Sequence, residues 1–307
     1  MTVTTKTVPP AGADPAPADP PAPAASPRRR RRRPGAIALD AGLYVGLLLA
    51  VLVMSVPLIW MVLAGFKTNA ELVSLPLQWL PEQFMPDNYQ RVAEAIPIGR
   101  MFLNSLGITI VGAGLKVFLG LCCAYAVVFV DVPFRNAVFV LVIFALLIPG
   151  QITIIPNYTL IASLDWLNSY QGIILPGLAS AFGTFLFRQH FRSLPISVLE
   201  AAELDGAGHW RRLWRFVVPM SAPTIAAVSL VSLVTDWNEY LWPMLVTDNA
   251  RVMTLPVGLT LLQDIDGMQN WGVLMAATVV VTVPMLVFFL ILQRRLVAGL
   301  TAGAVTG

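Results

Sequence analysis

The sequence predicts an all-α, polytopic membrane protein with about six transmembrane helices and a helical hairpin on the cytoplasmic face. Three observations predict it. Apolar residues make up 57% of the 307 and charged residues only 12%, against about 45–50% and about 25% in a soluble domain. With a mean hydropathy of +0.73, the chain cannot cover its own surface with polar groups, so a bilayer is its natural solvent. The apolar residues also fall into runs of the length that crosses one, about 20 residues each.

Residues 1–35 come first and stand apart. They are rich in Pro and Ala and nearly free of large apolar side chains. Such a segment cannot bury enough surface to offset its ordering entropy, so it is expected to be a disordered, basic cytoplasmic tail, leaving 36–307 as the membrane domain. The run Arg28 to Arg33 closes the tail. Nucleic-acid binding is one reading of such a run. An apolar segment begins within ten residues of it, which favours a juxtamembrane cluster facing anionic lipid, with no nucleic acid involved. That apolar segment, Ala41 to Phe66, is longer than the about 7–15 residues of a signal-peptide core.

The six expected spans run from Ala41 to Phe66, Phe102 to Val130, Ala137 to Ile161, Gly172 to Phe191, Ala222 to Val246 and Trp271 to Leu292. The fourth is interrupted by Pro176 and Gly177. No internal repeat is visible. With the N-terminus inside, fifteen of the twenty Lys and Arg fall on inner segments and four on outer ones, with Lys116 inside a helix. That asymmetry places both termini in the cytoplasm. The long outer loop from Lys67 to Met101 carries Trp79, Pro81, Pro86 and Tyr89 and is expected to be an ordered cap. Cys122 and Cys123 are adjacent in an apolar run and read as packing residues. His190 and His209 lack a metal-ligand pattern.

The inner loop from Arg192 to Ser221 is the informative one. Ser197 and Glu200 have capping-box spacing. Val198, Leu199, Ala201, Ala202 and Leu204 form an apolar helical face, and Gly206 suits the left-handed position that ends a helix. Ala207 to Phe216 then form a second, basic and aromatic helix. A surface hairpin with a small Ala pair suits close docking of another subunit.

Glu200-Ala201-Ala202, then Asp205-Gly206-Ala207, then Phe216 and Pro219 resemble the EAA loop of bacterial ABC-importer permeases, in the form common in the carbohydrate, maltose-type group. In that family the loop is a coupling helix seated in a cleft of the ATPase subunit. The resemblance thus implies that Glu200, Ala201, Ala202, Asp205 and Gly206 transmit motion. Phe216, Val218 and Gly208 depart mildly from the family's usual Ile, Leu and Ser or Asn. The resemblance runs from about Tyr44 to Gly307 and includes Pro57 to Trp60, Asn104-Ser105, Ile148 to Gly150, Leu175-Pro176, Trp237-Asn238, Leu241 to Pro243 and the ending Gly299 to Gly307. Thr306 stands where Lys is common. Val132 to Asn136, Asn168 to Tyr170, Thr184 to Gln189, Trp237 to Pro243 and the mid-helix Lys116 are similar to the glycerol-3-phosphate branch.

Lys116, Asp236 and Glu239 are ionisable groups in expected spans; such groups face a cavity or one another. Either Lys116 faces the translocation path and attracts a substrate phosphate, or it pairs with Asp236 or Glu239 and stabilises packing. Trp237, Asn238 and Tyr240, with Trp242, offer aromatic faces and hydrogen-bonding groups that suit a sugar, and they also suit a membrane interface. Pro57, Pro149, Pro156, Pro176, Pro243 and Pro284 free backbone carbonyls, which are tolerated beside protein or a water-filled cavity.

The chain has no P-loop, no H-E-x-x-H and no G-x-S-x-G, so it is not expected to be an enzyme. The resemblance implies a bacterial inner-membrane complex with a second permease subunit, an ATPase subunit dimer that uses ATP and Mg, and an extracytoplasmic solute-binding protein. The substrate it implies is a sugar or sugar-phosphate, sn-glycerol-3-phosphate among them. No cofactor of the chain's own is expected. The alternative is an ion-coupled secondary transporter that uses Lys116, Asp236 and Glu239 as a relay; inverted repeats would support it, and none is seen. A membrane-embedded enzyme lacks a catalytic constellation.

Overall fold

The computed structural model describes residues 34–262 and 270–304. Of the expected tail over residues 1–35, residues 1–33 with the arginine run lie outside the described residues, as does Thr306, while Pro34 and Gly35 begin α1. In chain order the helices are α1 (Pro34–Ala64), α2 (Asn69–Val73), α3 (Asp87–Ala95), α4 (Ile98–Phe129), α5 (Arg135–Leu147), α6 (Ile154–Ser163), α7 (Tyr170–Ile174) and α8 (Ala181–Phe191). They continue as α9 (Ile196–Leu204), α10 (His209–Arg212), α11 (Val218–Met220), α12 (Ala222–Trp237), α13 (Leu241–Val246), α14 (Leu255–Leu261) and α15 (Trp271–Ala304). The chain divides into two units, residues 1–54 and 55–307. Among the described residues, the first is the part of α1 up to Met54, apolar and exposed from Gly42 onward. All other elements belong to the second.

The second unit is built on α4, which packs against α8 and α12, while α12 packs on α15. The buried face of α4 shows why. Met101, Asn104, Ser105, Ile108, Thr109, Gly112, Ala113, Gly120, Leu121 and Ala124 recur every three or four residues. Many are small, which lets neighbouring backbones come close without a hydrophobic force to drive them together. At Gly120 a Cβ would stand 3.4 Å from the Phe187 ring and from the backbone nitrogen of Thr184. One core cluster joins Met101, Trp237, Leu255 and Ala276; a second joins Leu121, Tyr125, Phe187 and Phe191 to Leu199, Leu213 and Val217 of the hairpin.

Three of the six expected spans are continuous helices, and the count reaches six if each of three bent pairs is one span. Gly42–Ala64, Ile98–Phe129 and Trp271–Ile291 are continuous helices long and apolar enough to cross a membrane. The other three candidates are bent pairs: Arg135–Leu147 with Gly150–Ser163 at 94°, Tyr170–Gly177 with Ala181–Phe191 at 45°, and His209–Met220 with Ala222–Trp237 at 84°. The first break has a clear cause. Ile148 precedes Pro149 and is extended, at φ −80° and ψ 117°, because the proline ring disfavours the helical region for the residue before it. In the second, Ser180 leaves the helical region and its hydroxyl accepts from the Gly183 N–H at 3.1 Å, starting α8 afresh.

The expected fifth span, Ala222 to Val246, is also interrupted. It stops at Trp237, and α13 is a separate short helix. The Asn238 side chain donates to the Val234 carbonyl at 2.8 Å, and the Glu239 carboxylate accepts from the Trp242 N–H at 3.2 Å. Glu239 therefore lies in the break, where it caps α13, and not within the span assigned to it.

The loop from Lys67 to Met101 is ordered, as expected. Lys67 is fully buried, donates to the Gln78 carbonyl and stands 4.5 Å over the Trp60 ring. Asn88 donates to the Gly65 and Lys67 carbonyls at 3.0 and 2.9 Å.

Candidate functional site

Three of the four breaks converge: those before Gly150, after Gly177 and between α12 and α13. A cavity of about 420 Å³ is lined by Gly150 and Gln151 from the first, Pro176 and Gly177 from the second, and Trp242 and Pro243 beyond α12. A break in a helix frees backbone groups from helical hydrogen bonding, which fits a wall facing solvent or ligand rather than lipid. Lys116 of α4 and Asp236 and Trp237 of α12 complete the wall together with Glu239. Asn238 and Tyr240 are not among its lining residues.

Lys116 and Asp236 form an ion pair across α4 and α12, their side chains only 18% and 11% exposed. The attraction offsets part of the cost of taking both charges from water. Asp236 is held through one oxygen, Oδ1. Its Oδ2 is buried with no hydrogen-bond partner among the described residues. Gly112 makes room for that atom, since a Cβ there would stand 3.1 Å from Oδ2; at Gly177 a Cβ would stand 3.6 Å from the Lys116 ammonium. Trp237, 1% exposed, lies mainly in the core: its indole N–H donates to the Val281 carbonyl at 3.0 Å, and its ring meets Phe102 and Phe288 edge-on.

The second candidate site is the hairpin of α9 and α10. Gly206 is left-handed, at φ 78°. Its N–H donates to the Glu203 carbonyl and that of Ala207 to the Ala202 carbonyl, both at 2.9 Å, a Schellman termination of α9. The expected capping box is absent. Pro195 occupies the N-cap with no side-chain hydrogen bond, so the helix begins two residues early and Ser197 falls inside its first turn. The two alanines diverge: Ala202 is buried, whereas Glu200, Ala201, Asp205 and Gly206 are exposed. Beside them Leu204 is 89% exposed, an apolar side chain at the tip.

Sequence reasoning missed how the hairpin is held. Arg212 is buried and reaches Glu203 at 2.7 Å across the turn; its other terminal nitrogen donates to His209 Nδ1 at 3.0 Å. The Tyr125 hydroxyl of α4 lies 3.4 Å from the same Nδ1. An Arg nine residues after a Glu has no helical periodicity to announce it. Residues flagged as similar to one branch prove to be pins. Asn168 accepts from the Asp248 and Asn249 N–H groups, and Tyr170 donates to Asn104, which itself donates to the Arg251 and Met253 carbonyls.

Residues 116–302 match the family described as binding-protein-dependent transport system inner membrane component. The chain belongs to that family. This permease is similar to the sn-glycerol-3-phosphate transport system permease protein UgpE of Yersinia pestis, 34% identical over 269 residues that cover 85% of this chain and 96% of the relative. Its counterpart in Brucella abortus is 30% identical, with 83% and 93% covered. The fold matches a crystal structure of a bacterial ABC transporter involved in the import of the acidic polysaccharide alginate, with a TM-score of 0.74 at 21% identity over 85% of this chain and 98% of that one. The permease is thus a multi-pass inner-membrane protein and a transport subunit, and the ion-coupled alternative falls away.

Proposed function

We propose that this permease forms half of the translocation path of an ATP-driven importer for sn-glycerol-3-phosphate or a closely related sugar-phosphate. The observation that carries the substrate class is a lysine, Lys116, on the wall of a cavity among the spans, in a chain 34% identical to a permease named for that substrate. A second permease subunit would supply the other half, and an extracytoplasmic binding protein would deliver the cargo. Both termini would lie in the cytoplasm with the α9–α10 hairpin.

There the hairpin would seat in an ATPase dimer that uses ATP and Mg. Glu200, Ala201 and Asp205 would face the ATPase with Leu204 as an apolar knob. Ala202 and Gly206 would hold the shape, through a buried methyl and a left-handed turn. Closure of the ATPases would draw the two hairpins together and turn the cavity outward, driven by contacts that differ between the two states.

The experiment is uptake by proteoliposomes holding the complete complex and its binding protein, with radiolabelled sn-glycerol-3-phosphate set against a neutral oligosaccharide. ATP-dependent uptake of the phosphate compound alone is the expected outcome. Uptake that persists without the ATPase, or uptake of the neutral sugar alone, overturns it.

A further inference from the structure

The cavity wall carries one cation, Lys116, and two acids, Asp236 and Glu239. Taken together they give an anion no net attraction. Glu239 is occupied at the start of α13, so the charge that matters is the one on Lys116, and Asp236 already holds it. A phosphate entering the cavity must therefore replace a carboxylate.

The geometry favours such a replacement. Asp236 grips Lys116 through one oxygen, while its other oxygen is buried without a hydrogen-bond partner among the described residues. A buried oxygen without a hydrogen bond carries a desolvation cost that the ion pair leaves unrelieved. A phosphate brings about two negative charges and three acceptor oxygens, and charge-assisted bonds of that kind are the strong ones. Glycines pack closely on the pair, since a Cβ at Gly112 would stand 3.1 Å from Oδ2 and one at Gly177 3.6 Å from the ammonium; the open side of the pair is the cavity it lines.

We propose that Asp236 is a built-in stand-in for the substrate's phosphate. It neutralises Lys116 in the empty cavity, takes up a proton as it yields the ammonium to the phosphate so that no second anion is stranded there, and recaptures Lys116 when the substrate leaves. This makes Lys116 selective for an anion that outcompetes a carboxylate, and it prevents the loaded cation from becoming a trap. The proposal rests on the reading that the cargo carries a phosphate.

Two variants of the reconstituted complex test it. Asp236→Asn removes the competitor, so KM for sn-glycerol-3-phosphate falls about tenfold while maximal uptake slows because release is hindered. Replacing the pair jointly, Lys116→Met with Asp236→Leu, leaves no unpaired charge and is well tolerated as a rule. This double variant assembles, yet its KM for the phosphate substrate rises about tenfold or more. Should Asp236→Asn fail to assemble, the double variant decides alone. An unchanged KM in a folded Asp236→Asn complex, or in the double variant, overturns the stand-in role and leaves the substrate reading intact. Wild-type complex that imports only neutral sugar overturns the substrate reading itself.

Discussion

Two of the ion pairs among the described residues differ in reach and in setting. Glu203 and Arg212 are nine residues apart and close a surface hairpin, with Glu203 63% exposed. Lys116 and Asp236 are 120 residues apart and join two packed helices at a cavity wall. The first is short-range and half in water, where screening and side-chain entropy leave an ion pair little net worth. The second is largely dry, so intact it contributes modestly, and broken it leaves a charge with nowhere to go. A pair's importance here lies in the cost of losing one member, not in the strength of the bond.

That contrast can be tested in order of size. Lys116→Met strands Asp236 among packed helices and is expected to cost about 3–5 kcal/mol, read as a fall in the denaturation midpoint of the purified complex. Adding Asp236→Leu should recover most of it, and a single variant as stable as wild type breaks the contrast. Gly206→Val forces a branched side chain into a left-handed turn at φ 78°, at about 1–2 kcal/mol. Its sharper readout is loss of the ATPase subunit from an affinity pull-down of the permease. Gly112→Ala puts a methyl 3.1 Å from Asp236 Oδ2 and should cost about 1 kcal/mol, visible in the midpoint and absent when Asp236 is already Leu. Glu203→Gln should cost less than about 1 kcal/mol; a larger loss would mean that the hairpin pair is not in water as described.

Features carried by neighbouring residues were legible in the sequence. Six apolar runs pointed to six spans, three of which are continuous helices, and Gly206 announced the end of α9 because few other residues accept its φ. The prolines pointed to a cavity, and Pro176, Pro243 and the residue after Pro149 do line it. Depth of the bend was not legible: Pro149 can kink a helix or fold it back at 94°, and packing decides which. Ser197 and Glu200 had the right spacing for a cap, but Pro195 had already started the helix. Lys116 was visible as a costly charge. That its partner is Asp236 rather than Glu239 depends on how α4 meets α12, a contact between residues far apart in the chain.

One turn past the hairpin, Leu213–Val217 adopts a π-helix between α10 and α11. Such a turn holds one residue more than an α-helical one, and each residue rotates a helix by about 100°. Everything from Val218 onward is therefore dialled round relative to Trp210. A chain with one residue fewer between Trp210 and Pro219 could run there as plain α-helix and still bring the flanking residues out on the same faces. Across this short stretch residue count sets the facing as much as residue identity does, and such a shorter chain matched without a gap at this point would be compared face against wrong face.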